Sequence, residues 1–395
     1  GGAVAAQGGL VISFARMKKI LEVDLENERA VVQPGLVNQD LTSEVSDHGY
    51  CFAPDPSSQK ACTIGGNVAE NSGGPHTLAY GVTTNHVLGL EVVLPSGDVI
   101  HAGGKAWEGP GYDLKALVVG SEGTLGIVTK VVVRLMRLPE AVKTLLVIYN
   151  RVADATHTVA DVTAQRITPA AIEMMDNMVL KAVEEATHAG YPIDAAAVLL
   201  IELEGLKESV EVQAEQIREV CLANNAREVR LARSEEEREL LWRGRKNAFG
   251  ALGRISPSFY VQDGVIPRSR LPEMLEFMEE VSRKYDLRIG NVFHAGDGNI
   301  HPLLLFDRRK SEESVKVLKA AKEIMNFCVA QGGSLSGEHG IGLEKNELMP
   351  LVFSEDDLDA MRKVRGAFGK GANLNPGKLF PTGKICGELR VQISV

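Results

Sequence analysis

The sequence predicts a two-domain α+β protein. Up to about Pro139, short β-like runs are separated by Gly and Pro. Beyond it strands alternate with helices, and the final third reads as helix over Ser311–Gln331 and Ser354–Phe368. A chain of 395 residues is long enough for two or three domains at roughly 100–200 residues each. The first domain is therefore placed at residues 1–139 and the second at 140–381, with 382–395 a tail to which no function is assigned.

In chain order, strand-like runs fall at Leu10–Phe14, Ala30–Gln33, Val87–Leu94 and Val128–Leu135, with a helix over Val37–His48. The second part opens with a strand at Thr144–Tyr149 and a helix at Ala153–Ile167. A Met-rich run, Ile172–Thr187, reads as helix, Ala197–Glu204 as strand and Ser209–Asn224 as helix. Ser234-Glu235-Glu236-Glu237 carries the signature of a capping box opening a charged helix. A strand near Phe259–Val265, a helix at Leu271–Tyr285 and paired strands at Ile289–His294 and Ile300–Phe306 complete the set. Units of this kind imply an antiparallel sheet with helices on one face.

The formal net charge of −9 argues against a nucleic-acid protein, which normally carries a basic patch. The five cysteines, Cys51, Cys62, Cys221, Cys328 and Cys386, are scattered without a CxxC pair. They make no iron–sulfur or zinc motif and no disulfide framework, as suits a reducing, cytoplasmic compartment. No apolar run reaches the roughly 20 residues that span a bilayer. Gly1-Gly2-Ala3-Val4 is neither a signal peptide nor a Met start, so the chain is expected to open inside a folded domain.

Two Gly-rich segments stand out in the first domain. The first runs from Pro54-Asp55-Pro56-Ser57-Ser58 through Thr63-Ile64-Gly65-Gly66-Asn67 to Asn71-Ser72-Gly73-Gly74. Paired glycines among hydroxyl residues let successive N–H groups converge on an anion such as a pyrophosphate. The second, Gly120-Ser121-Glu122-Gly123-Thr124-Leu125-Gly126-Ile127, would let backbone approach a flat ring closely. Neither matches GxGxxG after a strand, which disfavours a nicotinamide site.

Three of the nine histidines fall in two further Gly-rich turns. In His294-Ala295-Gly296-Asp297-Gly298-Asn299-Ile300-His301 a hairpin can bring the two imidazoles across from each other. In Ser336-Gly337-Glu338-His339-Gly340 the flanking glycines let Glu338 and His339 reach a shared site. Two imidazoles and a carboxylate suit Zn²⁺ or another divalent ion with an open position.

The pattern PDPSS, CTIGGN, NSGG, YG and GSEGTLGI resembles the FAD domain of the vanillyl-alcohol-oxidase and p-cresol-methylhydroxylase fold (the PCMH type). HxGDGNxH and GEHGIG resemble the C-terminal signature of the FAD-linked 2-hydroxy-acid dehydrogenases. The likeness covers nearly the whole chain and is nearest to glycolate oxidase FAD subunits and D-lactate dehydrogenases. It implies a PCMH-type FAD domain followed by a ferredoxin-like cap. It implies that Pro54, Ser57, Ser58, Thr63, Gly65, Gly66, Asn67, Gly73, Gly74, Tyr80, Gly81, Glu122, Gly123, Gly126 and Ile127 lie along non-covalently held FAD. It implies that His294, His301 and Glu338 bind the metal, Zn²⁺ or Mn²⁺, and that His339 is the base.

The substrate carboxylate calls for a guanidinium fork. Arg245, in Leu241-Trp242-Arg243-Gly244-Arg245-Lys246, aligns best with the substrate arginine of relatives; the competing reading is a solvated Arg-rich helix face. Tyr260, Gln262 and Asp263 lie in a family-like strand without a clear role. Asn373-Leu374-Asn375-Pro376-Gly377-Lys378 resembles the family's closing NPGK turn, whose Asn, here Asn375, lies by the flavin. Gly369-Lys370 departs from the Asp-Pro that many relatives carry just upstream.

These likenesses lead to oxidation of glycolate or D-lactate, with D-2-hydroxyglutarate the alternative substrate. Electrons are expected to leave to a quinone, a cytochrome or a separate iron–sulfur subunit, through which the protein could associate with a membrane. Rival readings are a flavin-free metal hydrolase and a non-catalytic subunit. Relatives carry a strand–helix–strand unit and a Gly-rich pyrophosphate loop before the Gly-Gly matching Gly1-Gly2. The chain as given is therefore expected to bind FAD poorly by itself.

Overall fold

The computed structural model describes residues 2–106, 110–369 and 374–382. Gly1, Lys370, Asn373 and the tail beyond Thr382, all part of the sequence reading, lie outside the described residues.

The first domain runs β1 (Ile20–Asp24), β2 (Arg29–Val32), α1 (Asn38–Val45), β3 (Tyr50–Cys51), α2 (Ile64–Glu70), α3 (Thr77–Tyr80), β4 (Val87–Val93), β5 (Val99–Gly103), α4 (Leu114–Val118), β6 (Ile127–Arg134) and β7 (Met136–Arg137). Five strands form an antiparallel sheet in the order β1-β2-β6-β4-β5. Alternation in β6 turns Val131 and Val133 inward, against Leu41 of α1 and Ile64 and Val68 of α2. The expected strand at Leu10–Phe14 does not form: the run is irregular and Leu10, Val11 and Ile12 are exposed. An apolar run becomes a strand only where a neighbouring edge takes up its N–H and C=O groups, and none does so here.

The second part runs β8 (Ala141–Tyr149), α5 (Val152–Ala164), β9 (Ala171–Asp176), α6 (Asn177–Thr187), β10 (Ala197–Gly205), α7 (Lys207–Ala223), β11 (Glu228–Leu231), α8 (Glu235–Lys246), α9 (Ala248–Leu252), β12 (Ser258–Val261), β13 (Gly264–Val265), α10 (Leu271–Tyr285), β14 (Arg288–His294), β15 (Asn299–Phe306), α11 (Ser311–Ala330) and α12 (Glu355–Phe368). The sheet order is β11-β8-β10-β9-β14-β15-β12, with β13 also on β15, and every pairing is antiparallel.

Two expectations are corrected. The run Ile172–Thr187 is not one helix. Its first residues pair between β10 and β14, and Asp176 then caps α6 by accepting the Val179 N–H at 3.0 Å. Nor do helices cover one face alone. Leu145, Val147, Leu199 and Ile201 pack on α5, α7, α10 and α11. Leu146, Ile148, Val198 and Leu200 pack on α6, α8 and α9. Burial on both sides explains why Ala197–Leu203 is apolar almost without a break, where a half-exposed strand would alternate.

On that second face β10 ends in polar residues, and the first domain contacts it there. His76 bridges Asp55, 2.9 Å from Nδ1, and Glu202, 3.2 Å from Nε2. Lys246 Nζ of α8 reaches Asp55 at 3.2 Å, and the Tyr80 hydroxyl donates to Glu204.

Candidate active site

The first Gly-rich segment folds into turns and α2, and Thr63 Oγ1 caps that helix by accepting the Gly66 N–H at 3.2 Å. The expected open nest of N–H groups does not hold over Ile64–Asn67. Ile64 donates to Leu36 O, Gly65 to Pro34 O and Asn67 to Thr63 O, because a capped helix start and a close backbone crossing use them first. The buried Nδ2 of Asn67 is left without a hydrogen-bond partner. Pro54 O accepts from Asn38 Nδ2, and Ser57 and Ser58 lie in the turn preceding α2.

The second segment lies on α2, with Gly120 N–H on Val68 O and Glu122 N–H on Ala69 O, both at 2.8 Å. Gly120, Glu122 and Gly123 all have positive φ, at 79°, 52° and 67°, a left-handed turn that brings backbone rather than side chains to the surface. Gly126 packs on Val92, and Ile127 begins β6. Gly81, with φ of 79°, ends α3 after Tyr80.

Both segments meet the second domain at one place. The buried carboxylate of Glu122 accepts the Ile341 and Gly342 N–H groups at 2.6 and 2.7 Å. A Cβ added to Gly73 would stand 3.6 Å from Glu338 Oε2, and Gly74 lies against Asp55. Asn375 donates to Glu122 O at 2.6 Å and holds the closing turn on the same spot.

His294 and His301 come from β14 and β15, but not from directly opposite positions. His294 faces Asn299 and Val292 faces His301, so the imidazoles are diagonal neighbours on one face. Their rings lie 5.1 Å apart and edge-on. Glu338 Oε1 is 3.4 Å from His294 Nε2, 3.1 Å from His301 Nε2 and 3.5 Å from His339 Nε2. His294, His301 and Glu338 each present a ligand atom within 4.8 Å of the others. Neither ring nitrogen of His301 makes a hydrogen bond, nor does Glu338 Oε2, although all are buried. Buried polar atoms are rarely left so, and two nitrogens and a carboxylate oxygen fit a divalent cation.

Burial resists the charged form of Glu338, yet the three histidines beside it hold its carboxyl well below the usual range. Burial likewise opposes charge on His294, but Glu173 outweighs it and raises that imidazole well above its ordinary value. His301 is pushed down, chiefly by burial. His339 stacks on His301 at 4.9 Å, and with its side chain 46% exposed it is the open member of the group.

Sequence reasoning missed one support, Glu173, and left another, Asp263, without a role. Glu173, buried in β9, faces His294 across the strands and takes a hydrogen bond from its Nδ1 at 2.8 Å. Arg245, itself only 1% exposed, forms an ion pair with Glu173, which excludes the solvated-face reading. Asp263 accepts from Ser336 Oγ and from the N–H groups of Gly337, Glu338 and His339, with Lys345 Nζ beside it at 3.3 Å. It thereby shapes the loop that carries Glu338. The available signal was a carboxylate set among apolar residues, Ala171-Ile172-Glu173-Met174-Met175 in one case and Asp263 next to Gly264-Val265 in the other.

The chain matches two family models, "FAD binding domain" over residues 1–103 and "FAD linked oxidases, C-terminal domain" over residues 138–379. It belongs to the FAD-linked oxidases. This FAD-linked oxidase is 46% identical over 388 residues to the glycolate oxidase subunit GlcD of Escherichia coli (strain K12), covering 98% of the chain and 78% of the relative. It is 44% identical to GlcD of Bacillus subtilis (strain 168), covering 96% and 81%. It is 32% identical to a D-lactate dehydrogenase of Anaerostipes hadrus, covering 96% and 82%. Its fold is similar to that of p-cresol methylhydroxylase, with a TM-score of 0.76 at 18% identity over 92% of this chain and 78% of that one. Among the described residues no helix is long and apolar enough to cross a membrane.

Proposed function

We propose that this FAD-linked oxidase converts a small D-2-hydroxy acid, glycolate or D-lactate, to the 2-oxo acid. Its FAD would be held non-covalently along residues 54–81, 120–127 and Asn375, and a Zn²⁺ or Mn²⁺ ion by His294, His301 and Glu338. The supporting observation is convergence: Glu122 of one cofactor segment is hydrogen-bonded to the loop that carries Glu338 and His339. Similarity to glycolate oxidase subunits and to a D-lactate dehydrogenase supports the substrate class.

When bound, FAD supplies an acceptor for the Cα hydride, and the metal supplies a Lewis acid that orients the substrate and acidifies its hydroxyl. His339, the one histidine of the group with an exposed side chain, takes the hydroxyl proton. Burial lowers the His339 pKa, but Glu338 and Asp263 outweigh it and raise it; the neutral imidazole is the form that takes the proton. Arg245 receives the carboxylate through Nη1, which is buried without a hydrogen-bond partner while Nη2 faces Glu173. Electrons then pass to a separate quinone, cytochrome or iron–sulfur partner, in keeping with relatives named as subunits.

The test is a substrate panel on FAD-loaded protein with a dye acceptor. Glycolate or D-lactate should reduce the dye, L-lactate should not, and a chelator should stop turnover until Zn²⁺ or Mn²⁺ is restored. Failure on every 2-hydroxy acid would overturn the substrate class. Full activity in protein shown metal-free by elemental analysis would overturn the metal.

A further inference from the structure

We propose that Glu173, held by Arg245, is the residue that positions His294 for its place in the cluster. The inference rests on the metal reading above and goes beyond it by assigning work to a residue that contacts neither the proposed substrate nor the proposed ion.

The geometry has three parts. His294 and Glu173 are direct cross-strand neighbours on β14 and β9, so their backbones already set the distance between them. His294 Nδ1 lies 2.8 and 3.0 Å from the two Glu173 oxygens. The Glu173 side chain is 0% exposed, and its Oε2 also meets Arg245 from α8.

A carboxylate can only accept, so the hydrogen of a neutral His294 must sit on Nδ1. Nε2 then presents its lone pair to the cluster, where Glu338 Oε1 lies 3.4 Å away. The carboxylate thus sets both ring rotation and tautomer before a ligand arrives. Arg245 supplies the countercharge without which a fully buried carboxylate would be strongly disfavoured. A carboxylate on the far nitrogen of a ligating histidine also makes that imidazole a better donor, and loss of such a partner typically weakens metal binding 10–100-fold.

The alternative is a structural ion pair that ties α8 to the sheet and leaves the cluster indifferent. Two variants separate the ideas. Glu173→Gln keeps the shape and removes the charge. The double variant Glu173→Met/Arg245→Met replaces the buried pair by apolar side chains and leaves no stranded charge, so it is the safer folder.

Zn²⁺ affinity of the FAD-loaded protein is measured by competition with a chromophoric chelator, alongside flavin content and melting temperature. The expected result is one Zn²⁺ per unsubstituted chain. Affinity should fall about 10-fold in Glu173→Gln, whose amide oxygen can still accept from Nδ1, and about 100-fold in the double variant, with flavin content retained. Zn²⁺ binding by both variants as tight as in the unsubstituted protein overturns the positioning role and leaves the metal reading standing. No Zn²⁺ or Mn²⁺ binding by the unsubstituted protein overturns both.

Discussion

Glu122 Oε2 accepts the backbone N–H of Gly342 at 2.7 Å, joining the Gly-rich Gly120–Ile127 segment of the first domain to the histidine loop of the second. Its other oxygen takes the Ile341 N–H at 2.6 Å, so the carboxylate is used at both ends. Glu122→Gln turns an NH₂ group toward one of these donors. Hydrogen bonds to a charged group contribute about 1.5–3 kcal/mol each, so kcat/KM should fall roughly 10–100-fold. Metal content should stay constant, because no metal ligand changes. A variant with unaltered kinetics would show that the two loops are held by other contacts.

His339 should behave as a base and not as a ligand. His339→Asn should lower kcat by about 100-fold or more, the scale of a lost general base, while bound metal is largely retained. His294→Ala and Glu338→Ala should instead lose the metal. Only the neutral imidazole can take the proton, so kcat/KM should fall on an acidic limb that vanishes in His339→Asn. Loss of metal with normal turnover after remetallation would reverse these roles.

Arg245→Lys discriminates between two uses of one side chain. Lysine can still face Glu173 but offers a point charge in place of a planar fork. If the guanidinium receives the substrate carboxylate, KM for D-lactate should rise by about 10-fold or more with metal content unchanged. An unchanged KM with reduced metal affinity would mean that Arg245 acts through Glu173 alone.

Asp263→Asn should disorder the loop that carries Glu338. Burial opposes the charge on Asp263, but Lys345 and the nearby histidines outweigh it and hold the carboxyl below its ordinary range. A depressed carboxyl contributes stability that is fully present above its unfolded value of about 3.9 and drains away as the pH falls toward the folded one. At pH 7 the variant leaves buried Lys345 without its countercharge, although the Asp263 carbonyl still accepts from it, at a cost of about 3–5 kcal/mol. Urea unfolding should therefore show a large gap between parent and variant at pH 7 that narrows below about pH 4. An equal gap at both pH values would sink the electrostatic account.

The parts of this protein that were readable in advance are local. Gly120–Gly126, His294–His301 and Ser336–Gly340 announce themselves because a left-handed turn or a tight hairpin leaves its glycines side by side in the chain, and the reactive residues sit within the same few positions. Most of the helices and strands were readable for the same reason: their periodicities are properties of adjacent residues. What only the tertiary structure decided is non-local. Ile172–Met175 became strand because β10 and β14 offered it two edges, overriding its helical look. The Ile64–Asn67 amides closed on Pro34, Leu36 and Thr63, where the sequence suggested an open nest. The sheet that holds Ala197–Leu203 was expected to carry helices on one face; both are covered, and which helices cover them depends on strand order. Glu173 meets His294 across 121 residues, and Glu122 meets Gly342 across 220. Such pairs leave no spacing in the sequence, because sheet register and domain docking set their distances and both exist only in the folded chain.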